Sequence, residues 1–217
     1  MTHALFRANL AEAMQKAGVR PDGDWLDQTA ASLVARYGEP ARAYHTATHI
    51  AAMLEGFAEV QSQAISPASL ILAILFHDVV YNPHRNDNET ASAAFAATAL
   101  AGQGLAPQLM ARVTDLIAAT QHGAATPDAA DVDCALLLDL DLAVLGGTPQ
   151  AYRAYADAIR FEYAHVPDAA YRLGRAHVLR QFLTQPQIYR TAQFRKQLEL
   201  RARENLAQEI SQLDRGT

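Results

Sequence analysis

The segment Ser66 to Asp78, SPASLILAILFHD, constrains the fold more than any other part of the chain. Ser66-Pro67 reads as a helix start, with the serine as cap and a proline at the first helical position, where an N–H has no helical partner to lose. Leu70, Ile71, Ile74 and Leu75 follow with almost no polar side. A helix that is apolar all round has to be covered by other elements. Its C-terminal end carries His77 and Asp78, two side chains able to bind a metal, and Asn82-Pro83 blocks continuation beyond them. The expectation is a central helix that ends in a polar site.

The rest of the chain supplies helices to cover it. Leu5, Phe6, Leu10, Ala13 and Met14 recur at helical spacing over 4–17, and Gly18 closes that segment. After the Pro21-Asp22-Gly23 turn, Asp24 is placed to cap a helix through Tyr37, with Leu26, Ala30, Leu33 and Val34 on its buried side. Thr46 or Thr48 begins a third helix carrying His49, Ala52, Met53 and Phe57. Asp87 caps an alanine-rich helix over 88–100, and 107–122 is amphipathic through Leu109, Val113, Leu116 and Ile117. Residues 123–131 read as a loop. Residues 132–145 are apolar apart from Asp133, Asp139 and Asp141, and their length favours a buried helix over a strand. Thr148-Pro149 starts a helix to about 164 and Pro167 another to about 183. Phe194 to Leu213 forms a long charged helix with i,i+4 pairs such as Arg195 with Glu199. Alternating runs and Asn-Gly hairpin turns are nearly absent. With 217 residues, no repeat and no linker, the chain is expected to form a single all-α domain over 1–217.

Eighteen Lys and Arg against 23 Asp and Glu give a formal charge of −5. No basic block stands out, which argues against a dedicated nucleic-acid surface. The single cysteine, Cys134, excludes an intramolecular disulfide, and among apolar neighbours it reads as a buried structural thiol. No apolar run reaches the ~18 residues of a membrane span. The amphipathic start MTHALFRANLAEAMQKAG lacks the apolar core and cleavage site of a signal peptide. A cytoplasmic protein with no membrane partner is expected, and the alanine-rich helices offer a surface for a homodimer.

Chemistry concentrates in a few places. His49, His77, Asp78 and Asp141 form a nitrogen and oxygen donor set without sulfur, which suits a divalent zinc, manganese, iron, cobalt or magnesium ion. Such an ion would acidify a bound water at neutral pH. A lone histidine on an apolar face is more often a satisfied core residue. Carboxylates in apolar helices, however, are costly unless paired or metal-bound, and Asp78, Asp139 and Asp141 all occupy such places. On a helix Asp139 and Asp141 point about 200° apart, so they do not share one role. His122 ends its helix either as a phosphate or metal contact or as a cation favoured by the helix dipole. Glu89 either meets the positive end of its helix or acts as a general base beside Asn88. Arg160 either neutralises a phosphate or joins two helices through a salt bridge.

The order His49, His77-Asp78, Asp141 resembles the H…HD…D pattern of the HD superfamily of metal-dependent phosphohydrolases. Tyr44-His45-Thr46-Ala47-Thr48-His49 is similar to the YHN-x-x-H segment of cyclic-nucleotide phosphodiesterases, a distant branch with the same core. There the second histidine binds metal and the first protonates the leaving oxygen. The resemblance extends over nearly the whole chain to a bacterial group of predicted HD-superfamily hydrolases. It runs through Tyr44-His45-x-x-x-His49, His77-Asp78-x-x-Tyr81, Asn88-Glu89-x-x-Ser92, Thr120-Gln121-His122, Asp139-x-Asp141-Leu142, Ile159-Arg160-x-Glu162-Tyr163 and Gly174-Arg175. After His77-Asp78 this chain has Val79-Val80-Tyr81 where the cyclic-nucleotide enzymes have Val-Asp-His, so that activity is not expected.

The resemblance implies an HD-type helical bundle, with a metal-site core over about 40–145 and a C-terminal helical extension over about 148–215. It implies His49, His77, Asp78 and Asp141 as ligands, with Asp139 the second choice for Asp141's place and otherwise a supporting group or turn cap, and His45, Glu89 and Asn88 as catalytic groups. His122 and Arg160 would contact substrate. The expected reaction is hydrolysis of a small phosphoester or phosphoanhydride, nucleotides included. Two other readings stand beside it. One is a metal-containing ligand-binding or regulatory module without turnover. The other, less favoured, is a di-iron oxygenase, which needs more histidines than His122 and His84 supply.

Overall fold

A computed structural model describes residues 2–121 and 130–215, and all regular structure among them is helical. The α-helices are α1 (Thr2–Lys16), α2 (Gly23–Tyr37), α3 (Ala47–Val60), α4 (Pro67–Phe76), α5 (Asn88–Leu100), α6 (Pro107–Ala119), α7 (Val132–Asp141), α8 (Pro149–Glu162), α9 (Asp168–Thr184) and α10 (Ala192–Arg215). Short 3-10 helices follow α3 at Gln61–Gln63 and α7 at Leu142–Gly146. The apolar 132–145 segment is therefore helical and not a strand, and it tightens into the 3-10 helix from Leu142 onward. None of the described helices is long and apolar enough to cross a membrane. The chain divides into two compact units, Met1–Leu137 and Leu138–Thr217. The boundary falls inside α7, where composition gives no sign of a linker.

In the first unit α4 packs against α1, α3, α5 and α6. Every residue from Ala68 to Phe76 is buried, as an all-apolar helix requires. Each large side chain so covered contributes roughly 1.5–3 kcal/mol. Tyr37, at the end of α2, stacks on Phe6 at 5.6 Å between ring centroids. Its hydroxyl donates to the Leu75 carbonyl at 3.0 Å. That carbonyl lies in the last turn of α4, where the helix supplies no donor. Cys134 is buried, 2% exposed, as a structural thiol should be.

The caps differ in part from expectation. Asp22, not Asp24, caps α2: its Oδ1 accepts from the Asp24 and Trp25 amides at 2.8 and 3.0 Å. Gly23 takes the first helical position, which leaves Asp24 inside the first turn. Thr46 and Thr148 cap α3 and α8 with their hydroxyls. Ser66 does not cap α4, because its hydroxyl turns to that of Ser69 at 2.7 Å. The amides of Ile65 and Ser66 are taken instead by the two oxygens of Asp133, at 2.8 and 2.9 Å. Asp87 makes no cap bond and pairs with Arg85.

The second unit closes around Asp139 and Asn205. Asp139 accepts from the Arg190 and Thr191 amides, both at 2.7 Å, just before α10. Burial pushes its carboxyl up from the ordinary value, against the pull of those two donors. Asn205 on α10 donates to the Leu145 and Gly147 carbonyls at 2.8 and 3.0 Å. Between them Gly146 meets α10 so closely that a Cβ there would lie 2.5 Å from Leu198 Cβ. Glu199 pairs with Arg203 at 2.8 Å and accepts from the Ile188 and Tyr189 amides, while Arg195 turns to backbone carbonyls. Arg175 of α9 forms a nearly buried pair with Glu209 of α10 at 2.8 Å, to which Tyr152 also donates.

Gly146→Ala should destabilise the protein by ~1–3 kcal/mol through overpacking, seen as a lowered midpoint in urea denaturation. A second expectation concerns Asp131, whose carboxyl Arg112 holds below its usual range. A depressed folded pKa stabilises fully above the unfolded value of about 4 and loses that contribution as pH falls through the folded value. Arg112→Gln should therefore lower Tm at neutral pH, with the gap to wild type narrowing below about pH 4.

Candidate metal centre

Two helices deliver the site. His49 lies in the first turn of α3, and the Thr46 cap fixes where that turn begins. His77 is the C-cap residue of α4, and Asp78 follows it. One donor atom each from His49, His77 and Asp78 lies within 4.8 Å of the others. His49 is 6% and His77 1% exposed, so water competes little for these donors. The two imidazole rings stand 5.5 Å apart, inclined at 65°.

The tautomer of His77 bears on what this group can hold. Its Nδ1 lies 3.0 Å from the Ile74 carbonyl. A carbonyl only accepts, so Nδ1 carries the proton. The Nε2 lone pair then faces Asp78 Oδ2 at 3.1 Å. A lone pair against a carboxylate oxygen is unfavourable unless a proton or a cation lies between them. A backbone carbonyl that fixes the far nitrogen of a ligand histidine is the usual support for a metal ligand. The donor set and its tautomer therefore fit a divalent cation.

His45 precedes α3 and is half-buried. Its ring stacks on Tyr81 at 4.1 Å and lies 6.3 Å from the His49 ring. The segment after Asp78 is folded back by side chains at the start of α5. Asn88 accepts from the Asn82 amide and donates to the Asn82 carbonyl, both at 3.0 Å. Ser92 accepts from and donates to the Val80 backbone at 3.1 Å each. Asn88, read from the sequence as catalytic, thus spends its amide as a loop clasp. Glu89 sits partly exposed in the first turn of α5 and outside the three-residue donor group. His84 is exposed on the same loop.

Asp139 and Asp141 belong to the second unit. Of the roles open to Asp139, turn capping is the one its two backbone contacts show. Asp141 is the last residue of α7. Arg160 donates to the Tyr163 and Val166 carbonyls at 2.7 and 3.2 Å and lies 3.8 Å from Asp168, the contacts of a clamp between α8 and α9. His122 lies outside the described residues. Comparisons with family profiles, curated proteins and solved structures return no match.

One residue of this region carries no signal in the sequence. Arg42, 7% exposed, donates to the His45 carbonyl at 3.2 Å, to Asp78 at 2.6 Å and to Val79 at 3.1 Å. Its place two residues before Tyr44-His45 is the only hint, and spacing alone does not turn that into a contact. For the loop, Asn88→Ala should speed limited proteolysis between Asn82 and Asp87. An unchanged cleavage rate would show that the clasp does not restrain it.

Proposed function

We propose that the protein is a metal-dependent phosphohydrolase acting on a small phosphoester or phosphoanhydride, with nucleotides as the first class to try. The observation that carries this reading is the convergence of His49, His77 and Asp78 beside the stacked His45. The motif order H…HD…D supports it, and from that order alone Asp141 is proposed as a fourth ligand. A divalent cation held by this group would neutralise phosphate charge and acidify a water.

The protein's own side chains account for the rest. His77, with Nδ1–H committed to Ile74, presents Nε2 as a fixed donor and loses little freedom on binding. Low exposure of both histidines keeps the local dielectric low, which strengthens charge interactions with a phosphate. His45 is exposed enough to exchange protons with solvent and is held by Tyr81, as a group that protonates a departing oxygen must be. Glu89 is proposed as the base that orients the attacking water.

Two measurements test the reading. Metal analysis of the purified protein should find a divalent ion that is lost, with any activity, in His77→Ala and Asp78→Ala. Saturating metal should raise the wild-type Tm, since an ion bound only by the folded state stabilises it by ~2.7 kcal/mol at a hundredfold excess over Kd. Turnover should then appear in a screen of nucleotides and aryl phosphates with Mn²⁺, Zn²⁺, Co²⁺ and Mg²⁺. An Asp78→Ala protein that folds and keeps full metal content and activity would sink the proposal. Saturable nucleotide binding without turnover would instead assign a ligand-binding module.

A further inference from the structure

Arg42 is a buried cation for which the proposed chemistry has no use. It stands between α2 and α3, where the chain has no regular structure. Among the described residues Glu39 is the carboxylate it pairs with, at 3.1 Å, and that partner's side chain is 41% exposed. Burying a guanidinium is costly, and a half-solvated carboxylate offsets only part of the cost. The remaining compensation comes from backbone. Nη1 donates to the carbonyls of His45 and Asp78, and Nη2 to that of Val79. Its Cζ lies over the Tyr37 and Tyr81 rings, 5.3 and 5.5 Å from their centroids.

The targets of these bonds have a pattern. One is the carbonyl of the residue read as proton donor. The others belong to a cation ligand, Asp78, and to its neighbour. The two segments are far apart in sequence: Asp78 comes 36 positions after Arg42, with α3 and α4 between them. Tyr81 touches the same assembly from the other side, stacking on the His45 ring at an interplanar angle of 27°. A planar fork with donors on two nitrogens can hold two segments at a fixed separation, whereas an ammonium group lacks that geometry.

We infer that Arg42 is a positioning residue of the site: it fastens the His45 backbone to the Asp78-Val79 turn and so sets the proton donor at a fixed distance from the ligand group. The inference rests on the metal-site reading of His49, His77 and Asp78. Arg42 touches neither cation nor substrate. It acts through the orientation of Asp78 and His45, as supporting groups around a metal site commonly do.

The test uses the full chain and Co²⁺ as a probe. Wild type, Arg42→Met and Arg42→Lys are titrated with Co²⁺, following the visible absorption band and the dissociation constant, with Tm in EDTA as the control for folding. Arg42→Met should bind Co²⁺ about ten- to a hundredfold more weakly, with an altered band shape. Arg42→Lys keeps the charge and stem and covers the case in which Arg42→Met does not fold. It should lose affinity in the same direction, by less. Addition of methylguanidine to a folded Arg42→Ala protein should restore the wild-type band. In Mn²⁺-loaded protein, Arg42→Lys should lose more turnover on phenyl phosphate than on p-nitrophenyl phosphate, whose departing oxygen needs no proton. The Co²⁺ result stands even if neither ester is cleaved. Wild type without Co²⁺ binding overturns the site reading itself. Wild type that binds Co²⁺, with Arg42 variants matching it in affinity and spectrum, overturns the role of Arg42 alone. Equal loss on both esters also removes it from proton delivery.

Discussion

A helix with no polar side has nowhere to lie except among other helices, and the first unit depends on meeting that demand for α4. α1, α3, α5 and α6 cover its flanks. Its ends then become the difficult places, because helix termini carry backbone groups that the helix does not satisfy. At the start Asp133 takes the amides of Ile65 and Ser66. At the end Tyr37 serves the Leu75 carbonyl, and Arg42 serves those of Asp78 and Val79. The same burial that stabilises the helix leaves His77, just past its end, poorly hydrated. Water therefore competes little for the His49 and His77 nitrogens of the donor group.

Much of this was legible in the sequence, and the reason is length and period. Ten residues without a polar side can be recognised from composition, and the helical spacing of Leu5, Phe6, Leu10 and Met14 can be counted. His49 and His77-Asp78 were legible because chemically costly residues stood at the edge of apolar segments. What escaped depends on contacts between distant residues. Nothing near Arg42 in sequence says that it will meet Asp78. Asp133 and Asp139 could be recognised as expensive to bury, but the amides that compensate them lie 67 and 51 residues away. The cap of α2 fell on Asp22 instead of Asp24, a shift of two residues that the spacing of apolar side chains does not fix.

Asn88 holds a loop as well as a place in a motif. Beside Glu89 it reads as part of a catalytic pair, yet both ends of its amide are spent on Asn82. A planar group with a donor and an acceptor matches the N–H and C=O of one residue, and this match folds the 82–87 loop back onto the helix start. Ser92 does the same for Val80 one turn later. The two side chains hold in place the segment that carries Tyr81, and with it the ring against which His45 rests.

Sequence distance separates the two units in time as well. His49, His77 and Asp78 come together within the first 78 residues, whereas Asp139 meets its amides only after Thr191 has been added. Domains form largely in the order in which the ribosome releases them. The whole first unit, with the α5 and α6 that cover α4, therefore leaves the ribosome before Thr191, while Asp139 still lacks the amides it binds.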